Sequence, residues 1–370
     1  MSKLCLIYNF APKYREAIFK AIDERWECEW YFGKNATDIK GMDLNVLKDA
    51  QTVANHTFIR LPWYTQKHIF KLAGRKDIST FFMLGDLHCI TTWLTAARLR
   101  LFSPKKKLYF WTHGWYGKES KPVAMLKKLF FSLADGIFLY GNHARDLMIE
   151  NGVSPDKLYV IHNSLNHAEQ IRLRAKCSSN DTYRNHFGND NPVLIFIGRL
   201  TQVKRLDMLM EALAGLKKEG KSYNLVLIGD GEQSESLKAL AKSLDIEDSV
   251  WFYGACYDDT ENAELIFNAD LCVAPGNVGL TAMHTMVFGT PVISHDDFKW
   301  QMPEFEAIKP GKTGDFFKFG DVGSLASKIS EWFDSHPDRD AVRRECYKEI
   351  DTGWNPEYQM EVLENNLIVE

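Results

Sequence analysis

The chain has 370 residues, 45% of them hydrophobic, and a formal net charge of -4. That length exceeds what one hydrophobic core organises and predicts two domains, and the mildly negative balance excludes the global cationic field of a nucleic-acid-binding protein. Cys5, Cys28, Cys89, Cys177, Cys256, Cys272 and Cys346 form no CxxC pair, so neither a zinc site nor a disulfide framework is expected, and reduced thiols in a cytoplasm fit the pattern.

The opening "MSKLCLIYNFAPKYREAIF" has only a few apolar residues before Asn9, too short for a signal-peptide core or a bilayer span, which predicts a protein inside the cell. Strand-like runs follow in "KLCLIYNF", "TFFMLGD", "KLYFWTHG", "GIFLYGN" and "KLYVIHNS", separated by helical or loop segments. They predict a Rossmann-like sheet. The polar stretch "AEQIRLRAKCSSNDTYRNHFGNDNP" lacks a strand pattern and places a domain boundary within residues 166–191. Beyond it, "PVLIFIG" is a continuous apolar run, as expected of a strand covered on both faces. Leu206, Leu209, Met210, Leu213 and Leu216 then recur at helical spacing. The alternation continues through "YNLVLIGDG", "SLKALAKSL", "VWFYGA", "NAELIFNA", "LCVAPG", a further helix and "PVIS". Strand and helix alternating in this way predict an α/β fold of two doubly wound parallel sheets facing a central cleft. The tail "GWNPEYQMEVLENNLIVE" reads as an amphipathic helix.

Ligands of open parallel sheets bind at the carboxyl ends of the strands, which directs attention to "NFAPKYR", "THGWYGK", "GRLTQVK", "GDGE" and "APGNVGL". Arg199 and Lys204 follow a buried strand and can offset the charge of a diphosphate leaving group. Gly276 and Gly279 let a ligand approach the backbone, and a helix starting near Gly279 or Leu280 offers free amides and its positive dipole end. His113 follows another strand and can present a hydrogen-bonding imidazole at the strand ends, or sit satisfied in the core. Arg15, near the first helix start, can bind an anionic group or pair at the surface. Lys105 to Lys107, Lys127 and Lys128 stand beside aromatics; such cations hold a protein to anionic lipid by about 1 kcal/mol each, or form a solvated face.

In order and spacing, "IGRLTQVKRLDMLMEAL", "LVLIGDGEQSESLKALA", "VWFYGACYDD", "NADLCVAP" and "GTPVI" resemble the nucleotide-sugar domain of GT-B glycosyltransferases, specifically glycosyltransferase family 4. "PKYREAIF" resembles enzymes of bacterial surface-polysaccharide synthesis. The resemblance implies an acceptor-side domain at residues 1–168, a nucleotide-sugar domain at 169–352, and a terminal helix at 353–370 returning to the first domain. It implies a retaining, metal-independent enzyme with no cofactor, whose partners are a nucleoside diphosphate sugar and a glycan or lipid-linked acceptor, in the cytoplasm and at the inner face of the membrane. Arg199, Lys204 and His113 take the catalytic positions. Gly198, Gly229, Gly231, Gly276, Asn277, Val278, Gly279, Leu280, Thr281 and His284 take the donor site, and Arg15, Tyr14 and Trp115 the acceptor site. The departure lies in "PGNVGLTAMHTMVFGTPV", where the family pattern EGFGLxxxEAMAxGxPV puts Gly276 and His284 in place of two glutamates. A histidine can make one hydrogen bond with each ring nitrogen but lacks paired oxygens, and here it stands at the edge of a buried stripe. Asn277, or a carboxylate among Asp296, Asp297, Glu304 and Glu306, can take over a sugar contact. A binding protein that has lost transfer, or a UDP-sugar epimerase, are the alternatives.

Overall fold

The computed structural model describes residues 3–35, 39–58 and 61–369. The chain divides into two compact units, Met1–Asn166 together with Asn355–Glu370, and His167–Trp354.

The first unit is built on strands β1 (Lys3–Tyr8), β2 (Cys28–Gly33), β3 (Ala50–Val53), β6 (Ile78–Leu84), β7 (Lys107–Thr112), β8 (Gly136–Leu139) and β9 (Leu158–Val160). They form one sheet in the order β3-β2-β1-β6-β7-β8-β9, with every pairing parallel. Two short strands, β4 (Asn55–Thr57) and β5 (Tyr64–Gln66), pair separately as an antiparallel ribbon. The strands are apolar throughout because both faces are covered. In β7, Phe110 joins a cluster with Phe81, Phe130 and Ile137, while Trp111 joins the opposite cluster with Tyr8, Phe82 and Tyr140.

The strand pattern in the sequence did not extend to β2 and β3. In β2, the charge of Glu29 interrupts an apolar run, yet this carboxylate is only 3% exposed. Lys3 reaches it at 2.7 Å, and Arg75 grips it with two nitrogens at 2.6 and 2.7 Å. Paired in this way, a buried charge is tolerated inside a sheet. β3 is an edge strand in which Ala50 and Val53 are half-buried and the polar Gln51 and Thr52 are exposed.

The terminal helix Pro356–Asn366 packs within the first unit. Leu363 is fully buried there, Gln359 Nε2 donates to the His162 carbonyl at 2.9 Å, and Ser164 donates to Gln359 Oε1 at 2.5 Å.

The second unit carries β10 (Val193–Ile197), β11 (Asn224–Ile228), β12 (Val250–Gly254), β13 (Leu271–Ala274), β14 (Val292–His295) and β15 (Gly314–Phe317). Their order is β12-β11-β10-β13-β14-β15, again all parallel. Helix Leu206–Lys218 buries Leu206, Leu209, Met210, Leu213 and Leu216, the five positions of the apolar stripe. From β10 the chain goes on to β11 on one side, and from β13 to β14 on the other. The crevice between β10 and β13 is therefore the topological switch point, where ligands of such sheets bind.

Candidate active site

The loops that leave β10 and β13 meet at this switch point and are tied to each other by the backbone. The Gly276 amide donates to the Lys204 carbonyl at 2.9 Å. A Cβ at position 276 would lie 1.9 Å from the Val203 carbonyl oxygen, so only glycine fits. This corrects the expectation that Gly276 opens the backbone to a ligand: the chain's own loop fills that space. The same contact leaves no room for the first glutamate of the family pattern.

Lys204 reaches across to the β13 loop, donating to the Asn277 carbonyl at 2.7 Å and to its Oδ1 at 2.8 Å. Burial pulls this ammonium down to about 8; Glu304 opposes the shift and Arg199 adds to it. Arg199 is exposed and lies close enough for its charge to be felt at Lys204. Lys204 thus stands beside Asn277 with a second cationic charge near it. Asn277 turns its side-chain oxygen to Lys204, which leaves its amide nitrogen for any sugar contact.

Gly279 adopts φ 53°, and the helix that follows, Thr281–Met286, is a short one of six residues. Its first turn leaves amides without intrahelical partners. Thr281 Oγ1 donates back to the Ile197 carbonyl at 2.9 Å, pinning this turn to the end of β10. The Val278 amide is taken: Gln301 Oε1 accepts it at 2.9 Å. Val278 is itself fully buried, which removes it from the donor set. Gln301, a buried side chain that the sequence reading missed, also donates to Ser294 Oγ at 2.7 Å and to the His295 carbonyl at 3.1 Å. It ties the β13 and β14 loops together. A lone glutamine in "KWQMPE" carries no signal of that role.

Gly198, Gly229 and Gly231 serve contacts between loops. A Cβ on Gly229 would lie 1.9 Å from the Gly198 carbonyl oxygen, and one on Gly231 2.4 Å from that of Leu200. His284 is half-buried and, among the described residues, its ring makes no hydrogen bond within the chain. Burial lowers its pKa, with Asp259 opposing, so it presents a neutral imidazole. It is not a satisfied core histidine. Of the four later carboxylates, Asp296 accepts the Phe319 amide at 2.9 Å and Asp297 pairs with Lys299 at 3.2 Å. Glu304 is buried and acts on Lys204, and Glu306 is half-buried.

In the first unit, Arg15, Tyr14 and His113 come together near the carboxyl ends of β1 and β7. The guanidinium of Arg15 lies 5.5 Å from the Tyr14 ring. The His113 ring is 4.6 Å from that of Tyr140. Burial, with the charges of Arg15 and Lys127 adding to it, pulls His113 down to about 4, so the imidazole is neutral at physiological pH. Trp115 does not join this group. It is 2% exposed and packs on Phe131 at 5.6 Å under helix Lys121–Ser132, in the cluster on the other face of the sheet. A tryptophan after a strand was expected at the acceptor; the pleat and the turn at Gly114 carry it into the core instead.

The lysine run is also partly turned inward. Lys127 pairs with Glu119 at 2.6 Å, and Lys106 donates to the carbonyls of Ala73 and Arg75. Lys105 and Lys128 are exposed. Exposed beside them are large apolar side chains that the sequence reading did not single out: Leu94, Leu101, Phe102, Met125 and Leu129. Among the described residues, no helix is long and apolar enough to cross a membrane.

Comparison with known proteins agrees with this fold. Residues 179–349 match the family described as glycosyl transferases group 1. The alpha-monoglucosyldiacylglycerol synthase of Streptococcus pneumoniae (strain ATCC BAA-255 / R6) is 29% identical over 178 residues, which cover 47% of this chain and 40% of that protein. The chain thus spans about two-fifths of the length of this curated relative. Among solved structures, Anabaena HepE in complex with UDP aligns with a TM-score of 0.73 at 16% identity, covering 99% of both chains. The lipopolysaccharide outer core galactosyltransferase WaaB aligns with a TM-score of 0.73 at 17% identity, also over 99% of both. The chain has the GT-B fold, and within it residues 179–349, just under half of the chain, resemble the glycosyl transferases group 1.

Proposed function

We propose that this chain moves a sugar from a nucleoside diphosphate onto a hydroxyl of a glycan or glycolipid, with retention of the anomeric configuration, in the synthesis of cell-surface polysaccharide. The observation that carries the reading is the meeting of Lys204 with Asn277 at the β10/β13 crevice, with the charge of Arg199 felt at Lys204. The UDP bound to HepE makes uridine diphosphate sugars the first donors to try.

In the reaction the bond from the anomeric carbon to the diphosphate oxygen breaks. The acceptor oxygen bonds to that carbon on the same face, and its proton passes to the departing phosphate. Negative charge grows on the leaving group, and preorganised cations stabilise it more strongly there than in the ground state. Arg199 supplies a charge that does not titrate and a planar fork suited to phosphate. Lys204 supplies a second charge, held in place by Asn277, and the first turn after Gly279 offers amides. On this reading no metal or cofactor takes part, and neutral His113 hydrogen-bonds the sugar or the acceptor. Losing one such preorganised donor costs about 3 to 4 kcal/mol. Arg199→Ala and Lys204→Ala are each expected to lower turnover by roughly a hundredfold or more, measured by mass spectrometry of the glycosylated product. Turnover at the wild-type rate in either variant would sink the assignment.

A second reading has one observation in its favour. The space at Gly276 excludes the family's first carboxylate, which fits a nucleotide-sugar-binding protein that no longer transfers. Donor binding without any product, across a panel of acceptors, would select it.

The first unit has a surface suited to the cytoplasmic face of a bilayer. Helices Ile90–Phe102 and Lys121–Ser132 pack on one face of the sheet, joined by Trp93 on Phe130 at 4.8 Å and by Arg100 donating to the Leu133 carbonyl at 2.7 Å. Leu94, Leu101, Phe102, Met125 and Leu129 are exposed on them. Lys105, Lys121 and Lys128 supply exposed cations beside this apolar surface. Anionic lipid satisfies both.

A further inference from the structure

Among the described residues, the first unit holds a buried cation that no carboxylate balances. Arg15 stands immediately before helix Glu16–Arg25 and is 5% exposed. Its Nη2 donates to the Tyr140 hydroxyl, while its Nη1 is buried with no hydrogen-bond partner. The guanidinium carbon lies 4.8 Å from the ring centroids of both Trp111 and Tyr140, and 5.9 Å from that of Tyr8. Among the described residues no acid forms an ion pair with it; the adjacent Glu16 is taken by Lys13 at 2.6 Å.

Other unpaired polar atoms gather around this cation. The Tyr8 hydroxyl, Trp111 Nε1 and His113 Nδ1 are all buried without a hydrogen-bond partner. They come from the carboxyl ends of β1 and β7, the ends at which open parallel sheets bind ligands. Tyr14 and His113 are half-buried and border the cluster.

Buried polar atoms are nearly always paired, so three orphans around a charge whose own Nη1 is unpaired call for an explanation. Their chemistry supplies it. Guanidinium and indole nitrogens can only donate, and the tyrosine hydroxyl and a neutral imidazole can each donate one hydrogen bond. A site rich in donors, cationic and, among the described residues, without a carboxylate is complementary to an oxyanion, and the planar guanidinium fork matches carboxylate or phosphate.

We infer that Arg15, with Tyr8, Trp111 and His113, forms an oxyanion pocket that holds the carboxylate or phosphate of an acidic acceptor. The word acceptor rests on the transferase reading; the pocket itself does not, and binding alone tests it. Calorimetric titration of the full chain with methyl β-D-glucuronide, glucose 6-phosphate and neutral methyl β-D-glucoside separates the sources of the anion. At least one of the two anionic probes is expected to bind tenfold or more tighter than the neutral glucoside. Arg15→Met removes that preference, and Tyr8→Phe weakens it severalfold by deleting a single hydroxyl. UDP affinity, measured on the same variants, is expected to stay unchanged. Preference for the glucuronide alone identifies a carboxylate acceptor, and preference for the sugar phosphate alone a phosphorylated one. Equal binding of all three probes, or an anion preference that survives in Arg15→Met, overturns the pocket. If Arg15→Met fails to fold, Arg15→Lys and Tyr8→Phe decide: undiminished anion preference in both overturns it, and loss in either supports it. A chain that prefers the anion through Arg15 but makes no product keeps the pocket and loses the transferase reading.

Discussion

The ammonium of Lys204 feels a buried carboxylate, Glu304, and a second cation, Arg199, and burial pulls it down to about 8. At pH 7 it is mostly protonated and can hold a diphosphate. As the pH rises past about 8 the free protein loses this charge, whereas Arg199 keeps its own. A bound diphosphate favours the charged form and raises the pKa, so binding above pH 8 must take up a proton. UDP affinity is therefore expected to fall by up to about tenfold per pH unit above 8, with a binding enthalpy that depends on the ionisation heat of the buffer. A flat affinity from pH 7 to 9.5 would place Lys204 away from the phosphates. Such a property was only half legible in the sequence. The spacing of Arg199 and Lys204 after an apolar strand pointed to the pair, but the pairing of Lys204 with Asn277 depends on a loop more than 70 residues away. Gly276 shows the same limit from the other side. Its identity was plain, but whether a glycine yields to a ligand or to the protein's own backbone depends on where Val203 lies.

Among the elements, those with strong periodicity were readable. β10, with the helix after it, and β7 have continuous apolar runs or a stripe at 3.6-residue spacing, because each buries itself against neighbours on both sides. β2 was hidden by Glu29, whose partners Lys3 and Arg75 come from other segments. The helix pair of the first unit was misread in a more consequential way. Lysine clusters drew attention, yet Lys106 and Lys127 are bound to carbonyls and a carboxylate, and it is Leu94, Leu101, Phe102, Met125 and Leu129 that face outward. Exposed leucines and methionines on a helix look the same as core ones in a sequence until the packed face is known. If these helices dock on lipid, then replacing Met125 and Leu129 together by Glu removes buried apolar contacts and adds charge repelled by an anionic surface. Co-sedimentation with vesicles of phosphatidylglycerol and phosphatidylcholine is expected to drop at least tenfold for the double variant. Binding to vesicles of phosphatidylcholine alone should be weak for the unaltered chain. Equal sedimentation of the variant and the unaltered chain would remove the bilayer as the partner of this surface.

At the scale of the whole molecule, the chain leaves the first unit after Asn166 and returns to it at Asn355. The returning segment is part of that unit's core. Leu363 and Leu367 pack in the cluster of Leu4, Phe19 and Trp30, Thr80 donates to the Ile368 carbonyl at 2.7 Å, and Arg25 pairs with Glu364 at 2.6 Å. A helix that is distant in sequence but integral in packing should share the stability of the unit it packs in, since local opening follows cooperative packing units and not chain order. Leu363→Ala deletes a fully buried side chain and is expected to cost about 2 to 5 kcal/mol. Native-state hydrogen exchange should report that cost in the slowest amides of β1, β6 and β7. The slowest amides of β10, β11 and β13 should keep their protection, because no residue of the 355–370 segment belongs to their unit. Equal loss of protection in both sheets would mean that the two units unfold as one, and that the terminal helix stabilises the molecule as a whole.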